Sequence, residues 1–351
     1  MKELFSTVKE WIASDKRFAI ATVIKTWGSS PRLVGSSMLI AEDGSMAGSV
    51  SGGCVEGAVV KAAKELPDWL VPTDSLESGR GTVLDFGISD DEAWAVGLSC
   101  GGKLQVYVEP FIAFSEIEGE QEIWKNLEKS LESNTASILV SNISDEKQKH
   151  YLVFPDGQII GETLPKEFIT IVLQSYQDRK NQIVEYENDN YFIQLFPPQN
   201  KLIAIGAAHI TVDLVDLAKQ FGFETIIIDP RGVFANKTTF NTSPDQIFEK
   251  YPVEVLQELT LDEYTYAAVL SHDPKIDDNA LQILLRSKVA YVGALGSRRT
   301  HAKRVARLEA AGFTEQEISR IDAPIGLDIN AKTTKEIALS IMAGIIKEMR
   351  S

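Results

Sequence analysis

Two short stretches of this 351-residue chain hold its reactive side chains. Gly48-Ser-Val-Ser-Gly-Gly-Cys-Val-Glu-Gly57 places the thiol of Cys54 after a glycine pair and before a helical pattern, and Leu98-Ser-Cys-Gly-Gly-Lys103 places the second of the two cysteines, Cys100, before such a pair. Gly52 and Gly53 free the backbone to approach a ligand closely. A helix start lowers a thiol pKa and favours anions, which suits Cys54, and Glu56 in the first turn fits the dipole as a cap or accepts a proton. A lone cysteine is more often a small buried apolar residue. The paired glycines weigh against that reading for Cys54 and leave Cys100 closer to it. Ahead of this turn, Gly28-Ser-Ser-Pro-Arg32 offers hydroxyls and the Arg32 guanidinium, which fits an oxyanion site and equally a plain turn.

A second set of polar residues falls where apolar strand-like runs end. These are Gly206-Ala-Ala-His209, Asp229-Pro-Arg231, Ser271-His-Asp273 and Gly293-Ala-Leu-Gly-Ser-Arg-Arg299. Gly206 matches the first glycine of a dinucleotide fingerprint, and Asp229 stands where an acid meets ribose hydroxyls. Ala208 and Thr211 occupy the second and third glycine positions, where a methyl group hinders a pyrophosphate and a larger side chain crowds helix against strand. Two readings stay open there: nucleotide or cofactor contact, and a turn that only packs. Arg298 and Arg299, beside Ser297, would bring guanidinium forks and free helix amides onto phosphate; the bland alternative is a solvated helix start continued by Lys303, Arg304 and Arg307. His209 and His272 could titrate or donate to an anion on the same rim, although each alone is more often structural. No His/Cys/Asp grouping has zinc spacing, so no structural metal site is expected.

The elements that must position these residues follow from periodicity. Met1 to Asp15 reads as an amphipathic helix and Phe18 to Thr26 as a strand. Ser37 to Ala41 turns at Glu42-Asp-Gly44 into a return strand, a hairpin that delivers the chain to the Cys54 turn. Cys54 to Leu66 reads as a helix stopped by Pro67, with strands at Thr82 to Phe86 and Lys103 to Glu109 on either side of an acidic loop around Asp90, Asp91 and Glu92. Residues 112–198 carry no evident chemistry and read as a completion of the first domain's sheet and layers. Their expected helices run Glu116 to Ser133 and Glu167 to Tyr176. Strands are expected at Ala136 to Asn142, Tyr151 to Phe154 and within Gln182 to Phe196. Pro197-Pro198 is the expected boundary. Beyond it strands and helices alternate strictly, which calls for a parallel sheet covered on both faces, with ligands outside the strands' carboxyl ends. The expected fold class is α/β: an N-terminal α+β domain, 1–198, with a motif-bearing part, 1–111, and then a Rossmann-like domain, 199–351.

A formal net charge of −15 excludes broad nucleic-acid or anionic-membrane binding. No apolar run approaches the roughly 18 residues of a spanning helix, and the first helix lacks a signal peptide's apolar core, so a cytoplasmic protein with free thiols is expected.

Taken in order, GSSPRLVGSSMLI, GSVSGGCVEG and LSCGG, then IGAAH, IIIDPR, SHDPKID, YVGALGSRRT and APIGLDINAKTTKEIALSI, resemble the XdhC/CoxI family of molybdenum hydroxylase accessory proteins. The resemblance implies binding of molybdenum cofactor (molybdopterin) between the two domains. It also implies delivery of that cofactor to a xanthine dehydrogenase-like or carbon monoxide dehydrogenase-like hydroxylase, by a maturation factor rather than a catalyst. A cysteine desulfurase partner and a homodimer belong to the same expectation. Carried over by motif, Cys54, Glu56 and Cys100 stand beside the metal centre and Arg298 and Arg299 beside the phosphate, with molybdenum held only through the cofactor. Gly52, Gly53, Arg32, Gly206, His209, Asp229, Arg231, His272, Asp273 and Ser297 complete the expected binding set. The chain departs from the family pattern at Ser37, Ala208, Asn330 and Thr334. Competing readings are an NAD(P)-dependent oxidoreductase, from Gly206 and Asp229, and a thiol enzyme moving sulfur on Cys54.

Overall fold

The computed structural model describes residues 2–28, 30, 32–66, 81–86, 103–111, 119–144, 149–232 and 240–350. The chain forms two compact units, Met1–Pro198 and Gln199–Ser351.

In the first unit, strands β1 (Phe18–Trp27), β2 (Ser37–Ala41), β3 (Met46–Gly48), β4 (Thr82–Phe86) and β5 (Lys103–Pro110) form an antiparallel sheet in the order β3-β2-β1-β5-β4. The alternation of side chains explains why β1 is apolar at nearly every position. Ala19, Ala21 and Val23 face a core shared with Val55, Val59 and Ala63 around helix α2 (Glu56–Glu65). Phe18 and Ile20 face the opposite core, with Val8 and Trp11 of α1 (Phe5–Ala13) and Trp124 and Leu127 of α3 (Glu120–Glu132).

Residues beyond 112 do not extend that sheet. They build a second one, in the order β8-β7-β6-β10-β9, from β6 (Ser137–Asn142), β7 (Lys149–Val153), β8 (Ile159–Ile160), β9 (Gln182–Tyr186) and β10 (Asp189–Phe196). One face of it, with Ile138, Val140, Val153 and Ile193, packs on Phe168 and Val172 of α4 (Lys166–Gln177). The other, through Leu139, Leu152 and Phe196, closes the core that holds Phe18 and Ile20. Asn181 and Gln194 donate side-chain amides to the carbonyls of Val34 and Gly35 at 2.8 and 3.0 Å, which fastens this sheet to the β1–β2 loop.

The second unit is a six-stranded, all-parallel sheet. Its strands are β11 (Lys201–Ile205), β12 (Glu224–Ile228), β13 (Gln246–Phe248), β14 (Thr265–Val269), β15 (Tyr291–Ala294) and β16 (Ile321–Asp322), in the order β13-β12-β11-β14-β15-β16. That is the doubly wound order of dinucleotide-binding folds, with the topological switch between β11 and β14. Helices cover both faces. Ile203, Ile205 and Val269 pack on α7 (Pro274–Leu284) and α8 (Arg298–Ala310). Leu202, Ala268 and Leu270 pack on α5 (His209–Gln220) and α10 (Thr334–Arg350), while α6 (Pro252–Leu256) and α9 (Glu315–Ile318) are single turns at the edges. Thr333 and Glu336 form a capping box at the start of α10: Thr333 N donates to Glu336 at 2.9 Å and Glu336 N to Thr333 Oγ1 at 3.3 Å. Asn330 sits at φ +57°, a left-handed conformation that asparagine adopts more readily than most residues other than glycine. Among the described residues no helix is long and apolar enough to cross a membrane.

Candidate functional site

The turn around Cys54 is closed by its own acid. Gly52 and Gly53, at φ +82° and +119°, bend the chain so that successive amides converge on Glu56. Ser51 N and Gly52 N donate to Oε1 at 2.9 and 3.1 Å, and Gly53 N donates to Oε2 at 2.9 Å. The hydroxyls of Ser49 and Ser51 add two more bonds to the same carboxylate, and Ser51 Oγ accepts from Cys54 N and Val55 N, each at 3.0 Å. The donors expected to meet a ligand are therefore committed internally. Cys54 lies two residues ahead of the first helical residue rather than inside the helix, and it is exposed rather than packed as a small apolar side chain. Partial burial opposes the charge on Glu56, but the Ser51 and Ser49 hydrogen bonds overcome it and hold the carboxyl down at about 2. So acidic a group is a poor general base near neutrality. Ser49 and Ser51 were not singled out by sequence reasoning; their spacing to Glu56 is the signal that marks them.

Glu56→Gln is expected to cost about 1 kcal/mol of stability, the scale of a lost helix cap. A guanidinium-chloride midpoint measures it. The wild-type contribution is fully present above the ordinary carboxyl value of 4.5 and fades as pH falls toward about 2, so the two proteins should converge in acid.

In the second unit the strand-end residues gather along the carboxyl edge of the sheet, but most of them serve one another. Gly206, at φ +103°, lies so near the segment that follows β14 that an added Cβ would stand 2.7 Å from Ser271 Cα. Asp229 is completely buried, not presented to a ribose. Its Oδ2 accepts from Ala207 N at 2.8 Å, and the Arg231 fork closes on the carboxylate, Nε donating to Oδ1 at 2.9 Å and Nη2 to Oδ2 at 2.8 Å. Burial opposes its charge, and the Arg231 and Ala207 bonds outweigh that and keep the carboxyl below its usual range. Arg231 Nη1 reaches Ser271 O at 3.4 Å, and Ser271 Oγ donates to buried Asp277 at 2.6 Å. Thr211, in the third glycine position, is buried with its hydroxyl donating to Gly206 O at 2.6 Å. Threonine thus replaces close helix–strand contact with a hydrogen bond.

Asp273 caps α7 by accepting from Lys275 N at 2.9 Å, which starts that helix at Pro274. Ser297 caps α8 by accepting from Thr300 N at 3.2 Å. The side chains left facing outward are His209 at the first position of α5, His272 in a left-handed conformation at φ +63°, and Arg298 and Arg299 opening α8. Arg32 is exposed on the β1–β2 loop of the first unit. Ser37, one of the positions where the chain departs from the family pattern, is buried with its hydroxyl 3.2 Å from Thr22 Oγ1. Cys100 and the acidic loop around Asp90 lie outside the described residues, and among those described no three His, Cys, Asp or Glu side chains group as metal ligands.

The second unit is therefore a Rossmann-type domain whose ribose-reading acid has become an internal staple, preceded by an α+β unit bearing an exposed thiol on a self-closed turn. The XdhC and CoxI family model matches residues 11–70 and the XdhC Rossmann domain model residues 202–345, more than half of the chain together. The chain belongs to the XdhC and CoxI family. It is 28% identical to a Bacillus subtilis protein described as a probable xanthine dehydrogenase subunit, over 98% of this chain and 97% of that one. It is 24% identical to the molybdenum cofactor insertion chaperone PaoD of Escherichia coli, over 96% of this chain and 85% of that one. A solved Bacillus halodurans structure described as a xanthine dehydrogenase superposes with a TM-score of 0.71 at 26% identity, covering 98% of this chain and 95% of that chain.

Proposed function

We propose that this protein is a maturation factor that holds molybdenum cofactor as cargo and delivers it to a xanthine dehydrogenase-like molybdenum hydroxylase. The observation that carries the reading is the fate of Asp229: the acid that would read a ribose is buried and committed to Arg231 and Ala207, while Arg298 and Arg299 stand exposed on the same edge without an ion pair among the described residues. Such an edge fits a phosphorylated pterin better than a dinucleotide. The likeness to a cofactor insertion chaperone over 96% of this chain supports the same reading over an NAD(P)-dependent oxidoreductase.

In this reading Arg298 and Arg299 hold the phosphate through charge-assisted forks. The cargo, once transferred, supplies the client with its oxygen-atom and redox chemistry. Glu56 does not move a proton; it fixes the loop that carries the thiol. A cysteine desulfurase and self-association are the further partners to be tested.

Protein produced in cells that make the cofactor is expected to carry molybdenum and to release a fluorescent pterin on acid oxidation. The Arg298→Ala/Arg299→Ala variant should retain roughly ten-fold less pterin. Wild-type protein that carries neither metal nor pterin, even after cofactor is supplied, would overturn the proposal.

A further inference from the structure

We propose that the start of α8 is an oxyanion subsite whose buried cation is Arg304, and that the group it takes is a phosphate monoester. This deepens the cofactor-holding reading and rests on it for what carries the phosphate. The helix runs for 13 residues, and the amides of Arg298 and Arg299 lack helical acceptors by position, because Ser297 Oγ caps only Thr300 N. Above them two guanidinium groups are exposed. Below them a third is enclosed: Arg304 is 2% exposed, and its Nη2 donates at 2.9 Å to the carbonyl of Leu295, in the loop that leads into the helix. An arginine side chain points back along its helix toward the N-terminus, and this bond fixes the guanidinium there.

Arg304 is not satisfied in that place. Among the described residues its Nε and Nη1 are buried without a hydrogen-bond partner, as is Nδ1 of His301, three residues earlier on the same helix. A buried donor left unpaired is costly, and more so when charged, so such a group calls for an acceptor. Asp277 fills that role incompletely. Its Oδ2 lies 3.6 Å from Arg304 Nη2, whereas its Oδ1 takes the Ser271 hydroxyl at 2.6 Å, and burial pushes its carboxyl toward the neutral form. The nearby Asp278 is already paired with Arg307. Positive charge therefore accumulates at a helix N-terminus in a chain of net charge −15, where helix amides and guanidinium groups together match a tetrahedral oxyanion. His301, held low by burial and by the Arg304 charge, offers an acceptor to the proton of a phosphate monoanion.

The test is titration of the full chain, prepared without cofactor, with inorganic phosphate at constant ionic strength, followed by calorimetry and by phosphorus NMR linewidth. Wild type is expected to bind saturably. Arg304→Lys should fold cooperatively and bind roughly ten-fold more weakly, with Arg304→Met weaker still, and His301→Ala should flatten the dependence of binding on pH between about 5 and 7, as one charge-assisted bond apiece implies. If Arg304→Met fails to fold, the Lys and His301 variants decide. Phosphate that does not saturate the wild type, or that binds the Arg304→Lys and His301→Ala proteins as it binds wild type, would show Arg304 to be a packing residue and sink the assignment. No pterin is present, so failure here leaves pterin retention as a separate test of the cofactor-holding reading.

Discussion

Replacing His150 with alanine is expected to destabilise the first unit by about 3–5 kcal/mol, the cost of removing one partner from a buried ionic group. The imidazole is fully enclosed. Its Nδ1 lies 2.9 Å from Glu120 Oε2, and its Nε2 makes an ionic contact with Glu109 Oε2 at 3.2 Å, short of hydrogen-bond alignment. Trp124 packs edge-on to the ring at 5.5 Å, and His150 N also donates to Glu120 at 2.9 Å. Burial opposes protonation, but the Glu120 and Glu109 charges outweigh it and raise His150 well above its ordinary value; Glu120 is correspondingly lowered. The histidine contribution is fully present below the unfolded value near 6.5 and is lost as pH rises through the higher folded value. The Glu120 contribution is present above 4.5 and is lost in acid. The gap in urea midpoint between wild type and His150→Ala should therefore be widest at about pH 5 to 6.5 and should narrow in alkali. A gap that is flat with pH would mean that the cluster is held by packing alone.

The second large effect is expected at Asp229. Asp229→Ala strips the partner from Ala207 N and from the Arg231 fork, and should cost about 2–4 kcal/mol by equilibrium denaturation. Asp229→Asn should cost less, since an amide oxygen still accepts one of those bonds. Neither change should alter the response to NADH, because the carboxylate is turned inward. The carboxyl is held below its usual range, so its contribution is present above the unfolded value near 3.9 and fades as pH falls below it. A variant that keeps its denaturation midpoint and instead loses a ligand would make Asp229 a contact residue after all.

How much of this was legible in the chain depends on the range of the interactions. Phe18 to Thr26 reads as a strand because its apolar run reflects burial on both faces, and the alternating second half reads as a parallel sheet for the same reason. The two- to five-residue elements at Gln246, Pro252, Glu315 and Ile321 are shorter than the period needed to see them. Residues 112–198 supply helices and strands near their expected places, yet strand pairing that leaves them as a separate sheet is set by register, which periodicity does not carry.

The site divides along the same line. Exposure of Arg298 and Arg299 follows from a helix start, but the inward turn of Asp229 depends on the Arg231 fork folding back two residues. The Glu109, Glu120 and His150 group comes from strand β5, helix α3 and strand β7, which meet only in three dimensions. Arg304 did leave a signal: it stands four residues before Leu308, and both lie on the buried stripe of a helix that otherwise reads as basic and solvated.

The closed turn at Cys54 also bears on selectivity. A loop of free amides would attract any hard oxyanion, phosphate and carboxylate alike. With those amides already taken by Glu56, the turn offers an approaching molecule the exposed Cys54 sulfur in place of free backbone donors. Discrimination at that point then rests on softness rather than charge, because an exposed thiol favours soft, polarisable partners over hard oxyanions.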